Sequence, residues 1–174
     1  MVTATATCPS GTVLVGGGGG VQAPAGTAPS VTLTASFPST PRGSVLTSGG
    51  PSSWSAVGVA GPGASGATTS ASALCIAPGT IAAPQIVSAA APVPPGGTGP
   101  ALVTASCPVG SLLLSGGFSI DGGPVPDAHV RGSYPSDASG FPVSDAPVAG
   151  SWSSLVESDG TTPATSTVFA LCAG

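Results

Sequence analysis

The chain repeats itself, and that repetition limits its fold more than any other feature. Residues 5–18 read TATCPSGTVLVGGG, and residues 104–117 read TASCPVGSLLLSGG. TASFPS at 34–39 returns as RGSYPS at 131–136, SSWSAV at 52–57 as GSWSSL at 150–155, and SASALCIA at 70–77 as TVFALCAG at 167–174. The four blocks keep their order at offsets of 97 to 99 residues. A period of this kind divides a chain into like units before any fold is considered. Two units are expected, residues 1–77 and 102–174, joined by residues 78–101. This joining stretch is rich in Pro and Gly and carries no charge, so it reads as a semi-rigid extended linker. A short strand at 85–88 within it is placed to add to a neighbouring sheet edge.

Gly (28) and Pro (20) make up about 28% of the 174 residues, a fraction typical of low-complexity chains. Only 5% of residues are charged and the mean hydropathy is +0.48, whereas disordered chains combine low hydrophobicity with high net charge. The chain is therefore expected to fold. With 36 Val, Ile, Leu and Phe residues, it can build thin cores more readily than one thick α/β core.

Period-two patterns dominate. Strands are expected at 2–7, 12–15, 30–37, 53–60 and 68–76, and again at 102–106, 111–114, 128–134, 151–157 and 165–172. No ten-residue window carries a helical apolar stripe. Five short strands per unit, separated by Gly, Pro and Ser turns, imply an all-β chain of two small antiparallel sandwich or barrel units.

The four cysteines fit this plan. Pairing Cys8 with Cys75 and Cys107 with Cys172 ties the first strand to the last in each unit, and the repeat favours it over the other two connectivities. Each bridge closes a loop worth about 4 kcal/mol in the chain-entropy treatment. Disulfides need an oxidising setting, outside a cell or on a virion. A zinc site is disfavoured, because no C-x-x-C occurs and there is one His. Residues 1–10 lack the basic and apolar regions of a secretory signal, and no stretch of about 18 apolar residues is present to span a bilayer.

Taken together, the pattern CPxGxxLx[GS]GG, a strand ending S-[FY]-P-S, a Trp strand and a closing A-L-C resembles a small disulfide-containing β module. That module occurs in secreted proteins of GC-rich bacteria and their phages, often capping a fibrous or collagen-like stalk. The resemblance covers both units and implies a display or attachment role outside the cell. No Gly-X-Y repeat precedes either unit here.

Charge excludes some functions. There is no Lys, and Arg42 and Arg131 are the only Arg, so no basic stripe is available for a phosphate backbone. The acids Asp121, Asp127, Asp137, Asp145, Glu157 and Asp159 all lie in the second half. His129 stands between Asp127 and Arg131 at strand spacing, which puts all three on one face. The first unit has Ser30, Thr32 and Thr34 there, so an exposed polar face is the expected reading. No G-x-S-x-G nucleophile elbow exists.

The run Gly16 to Gly20 lacks the Lys of a phosphate loop and is expected to form a turn or bulge where backbones approach. Asp121, Asp127, Glu157 and Asp159 carry oxygens suited to Ca²⁺, though their spacing fits no EF-hand. Trp54 and Trp152, with Phe37 and Tyr134, suit either a glycan-stacking platform or the core. With seven aromatics in the chain, core use is expected.

The expected function is therefore structural and non-enzymatic, with no cofactor and no metal. The first reading is a virion surface component, a capsid decoration or fibre protein. The alternative is a secreted bacterial surface or filament protein, or an adhesion module binding glycan or protein. Partners are expected to be proteins met through sheet edges or the linker. Nucleic-acid binding and membrane insertion are not expected.

Overall fold

A computed structural model describes residues 1–24, 31–61, 64, 66–122, 127–144 and 150–174. Ser30 and Asp145 lie outside the described residues. The described chain is all-β, with eleven strands and no helix. They are β1 (Val2–Thr7), β2 (Val13–Gln22), β3 (Val31–Ser39), β4 (Ser53–Ala60), β5 (Thr68–Ile76), β6 (Gln85–Val93), β7 (Ala101–Ser106), β8 (Leu112–Asp121), β9 (Ala128–Ser136), β10 (Ser151–Ser158) and β11 (Ala164–Ala173).

They form three antiparallel sheets: β1-β4-β3-β8-β11-β6, β7-β10-β9 and β2-β5. None of these closes into a barrel, so the sandwich reading stands and the barrel alternative does not. Trp54 of β4 reaches β2, while Phe118 of β8 packs with Val156 of β10. Ser36 of β3 is hydrogen-bonded to Trp54 and is the register neighbour of Phe118. Cross-strand neighbours share a face. Both smaller sheets therefore cover the same face of the six-stranded sheet.

The sheet runs through both halves of the chain. Ala35 and Ser36 of β3 pair with Ser119 and Phe118 of β8, and residues 85–93 of the expected linker form β6, hydrogen-bonded along β11. The expected short strand at 85–88 is thus the start of a nine-residue one. Its Pro92 sits opposite Thr165 on the sheet's outer edge, where the missing N–H costs no ladder bond.

Burial follows the thin-core expectation. Apolar side chains collect in four clusters among the described residues. One holds Cys8, Leu14 and Trp54 between β2-β5 and β4. Two fill the second half, around Phe118 with Val156 and around Val168 with Val103. The fourth lies on the opposite face of the large sheet, where Ala35 and Phe37 meet Ile86, Phe169 and Leu171. Phe37 and Phe169 approach at 6.1 Å between ring centroids.

The glycine run departs from expectation. Gly16 to Gly20 lie inside β2, paired with β5 from Leu74 to Ser70, after a bulge between Leu14 and Gly16. The bulge and close approach are present, but the segment is a strand. Trp54 supplies the reason: a Cβ on Gly17 would overlap its indole, and one on Gly19 would overlap the Ala56 methyl. Gly116 of β8 meets Trp152 in the same way.

Thr34, expected to face solvent, is buried at 2% exposure. It sits in a bulge of β3 between Leu33 and Ala35 and donates its hydroxyl to the Val57 carbonyl at 3.2 Å.

Both disulfides form in the pairing that the repeat favours, Cys8–Cys75 and Cys107–Cys172, with Cα separations of 5.8 and 5.6 Å. Those separations lie in the ordinary range. Two such bonds suit an oxidising environment.

Candidate functional site

The residues with conventional chemistry sit on the strands in separate surroundings. On β9 and β10, Arg131 donates Nε–H to Glu157 Oε2 at 2.7 Å, and His129 Nδ1 lies 3.7 Å from Asp159 Oδ2. Asp127 accepts the Asp159 backbone N–H on its own carbonyl at 3.1 Å. Arg131 is about half exposed and Asp159 more so. The arrangement is a solvated cross-strand charge ladder of the kind that contributes modestly to sheet pairing.

Glu157 is thus engaged by Arg131, and Asp159 lies beside His129. Asp121 instead borders a groove of about 230 Å³ along the β3–β8 seam, with Phe37, Val57 and Met1. Among the described residues, no group of three His, Cys, Asp or Glu side chains converges as metal ligands. The four carboxylates named for Ca²⁺ are not brought together as a set.

The aromatics are used for packing. Trp54 is 1% exposed and donates Nε1–H to Ser36 Oγ at 2.9 Å. Trp152 is half-buried and donates to Ser133 Oγ at 2.8 Å. Phe37 is buried, and the half-buried Tyr134 donates its hydroxyl to the Gly140 carbonyl at 3.4 Å. None of the four forms a flat exposed platform.

One buried feature was missed at the level of sequence. Ser55 shares hydrogen bonds with Thr5 at 2.8 Å and Ser39 at 2.7 Å, and Ser153 does the same with Thr104 and Ser136 at 2.8 and 2.7 Å. Each group lies under the turn that follows β3 or β9, where Gly43 or Gly140 takes a positive φ and leaves no room for a Cβ. The signal was the repeated Ser-x-Ser around each Trp, SSWSA and GSWSS. Ser normally reads as surface, and only a folded-back turn makes it interior.

What the chemistry-bearing residues do not provide, the sheet edges do. β1 and β5 lie face to face at one side of the molecule, and each is the end of its sheet. Neither strand contains a charge or a proline, the two devices that most often blunt an edge. At the other side β6 lies alongside β11 and packs on β7.

The consequence shows in burial. From Ala164 to Ala173, β11 reads almost wholly buried, whereas β5 alternates between exposed and half-buried. Leu171 is fully buried; Leu74, at the matching place in the repeat, is 63% exposed. Val103 and Ala105 of β7 are buried, while Ala4 and Ala6 of β1 are half-buried. The β1/β5 end is thus an uncharged double edge with backbone donors and acceptors facing outward. No protein-family model, curated protein or solved structure matches the chain.

Proposed function

We propose that this chain is a non-enzymatic structural protein of an extracellular or virion surface, built as a duplicated disulfide-braced β unit. The observation that carries the reading is the β1/β5 end, two adjacent strand edges without charge or proline. Such edges are templates for pairing with another chain. A surface with two Arg and six acids in 174 residues has little charge to hold neighbours apart.

The duplication is supported by recurrence: two disulfides, two Trp-on-Gly contacts and two Ser-Ser-Thr groups stand at matching places. Among the described residues, His129 is paired with Asp159 rather than with a Ser, Thr or Cys nucleophile, which favours scaffold over hydrolase. A virion decoration or fibre component is the preferred form, and a secreted bacterial filament or surface protein the alternative. The burial of Trp54 weighs against a glycan-stacking site.

Purification of native particles or filaments tests this. Recovery of the chain at fixed stoichiometry with virions supports the preferred form, and recovery with cell-surface filaments supports the alternative. A hydrolytic activity lost on His129→Ala overturns both.

A further inference from the structure

The second half is completed by a strand that has no counterpart among the described residues of the first half. β6 runs antiparallel to β11 with Ile86 opposite Leu171, Val87 opposite Ala170 and Ala89 opposite Val168. Val87, Ala89 and Ala91 pack on Val103, Ala105, Val168, Ala170 and Cys172, while Ile86 covers Leu171 and Phe169 on the other face. At the 97- to 99-residue offsets, these positions correspond in the first half to Ala4, Ala6, Ala71, Ala73 and Cys75 on the inner face and to Leu74 and Ser72 on the outer, Ser72 standing where the second half has Phe169. All are small or apolar like their counterparts. Every one of them is half-buried or exposed.

We infer that the free edge of β5, with the ledge formed by Ala4 and Ala6, is an acceptor site for an extended segment of a partner chain. The segment has the chemistry of β6: about nine residues, uncharged, with small or β-branched apolar side chains at alternate positions.

The site is already shaped for it. Backbone N–H and C=O groups of β5 that point away from β2 have no strand beside them among the described residues, and a twelfth strand there would satisfy them as β6 satisfies β11. Alternate side chains of the incoming segment would fall on Ala71, Ala73 and the β1 alanines, and the others on Leu74. With Ala4 and Ala71 where the second half has Val103 and Val168, the ledge leaves room for side chains at least as large as those of β6. Register follows from the β6–β11 joint: the incoming residue opposite Leu74 takes the place of Ile86, and the one opposite Ala71 that of Ala89. This inference rests on the duplication proposed above, and its failure would leave the particle-recovery test of the surface role unaffected.

The test uses the full chain and a synthetic peptide of residues 84–94, PQIVSAAAPVP, with hydrogen exchange read by mass spectrometry. The expected result is saturable binding that slows exchange in residues 68–76 by about tenfold or more, as for strand amides drawn into a sheet. The same peptide with Asp in place of Val87 and Ala89 should give no protection.

A second form makes the strand intramolecular: residues 84–100 are grafted ahead of Val2, the counterpart of Ala101, which they precede in the native chain. The graft should protect the same β5 segment and raise the melting temperature. Three outcomes overturn the inference. In the first, neither peptide nor graft protects 68–76. In the second, the charged peptide protects as well as the native one. In the third, β5 is already protected without peptide in a chain that sediments as a dimer, which would assign the edge to a second copy.

Discussion

Gly17 and Trp54 meet through bare backbone: a Cβ on the glycine would lie within the indole ring. Gly18, one residue on, faces outward, with its nearest neighbour the Ser72 hydroxyl at 3.6 Å. The two glycines therefore respond oppositely to the same change. Gly17→Ala is expected to cost ~1–3 kcal/mol through overpacking. Gly18→Ala is expected to be neutral or to stabilise by ~0.5 kcal/mol, because alanine loses less backbone entropy in a strand. Urea unfolding of both variants checks this, and equal losses would remove Trp54 as the reason for the glycine.

Ser55 and Ser153 each join two other hydroxyls in a buried chain. Replacing either by Ala takes this partner from the buried Ser39 or Ser136 hydroxyl and is expected to cost ~1–3 kcal/mol. The prediction specific to the duplication is that the two losses are similar. A large loss at one site beside none at the other, in chemical denaturation, would mean that the two turns are not equivalent.

The disulfides close loops of similar length, with separations of 67 and 65 residues. Removing either pair, Cys8 and Cys75 to Ala or Cys107 and Cys172 to Ala, should lower stability by ~4 kcal/mol in the chain-entropy treatment. Thermal unfolding with and without reductant measures it. A reduced chain that melts with the oxidised one would show that the bridges are dispensable.

Ile86 and Val87 pair with Leu171 and Ala170 within the same chain. A proline at Ile86 removes the bond that its N–H donates to the Gly49 carbonyl at 3.1 Å. One at Val87, whose N–H points the opposite way, removes a ladder bond to β11 and loosens the cover over Val103 and Ala105, so the Val87 change acts on the second half itself. Exchange in residues 101–106 and 164–173 should rise while residues 53–60 stay protected. Uniform loss across the chain would mean that the halves unfold as one.

Arg131 and Glu157 form the shortest ion pair among the described residues, at 2.7 Å, with the Arg 55% exposed. Solvent screening limits its worth: Arg131→Ala should cost no more than ~1 kcal/mol, less in high salt. A salt-insensitive loss of several kcal/mol in denaturation at two ionic strengths would assign this pair a buried role.

The disulfide partners and most strands could be read in the sequence because both depend on pattern: alternation for the strands, repetition for the cysteines. The strand through Gly16 to Gly20 could not, because glycine carries no alternation and its cause is Trp54, more than thirty residues away in the chain. The β3–β8 seam was equally hidden. It rests on two residue pairs, Ala35 with Ser119 and Ser36 with Phe118, and no local preference marks them as partners. Thr34 read as solvent-facing by parity, and a bulge moved it indoors. The open β5 edge became visible only by comparing Leu74 with Leu171 and Ala4 with Val103, matching places in the repeat with different surroundings.

Negative-stain electron microscopy of the chain in its native source bears most directly on its role. Ordered particles or filaments that carry the chain at a fixed copy number are expected. Isolated monomers alone, with no particle or filament bearing it, would contradict an assembly function.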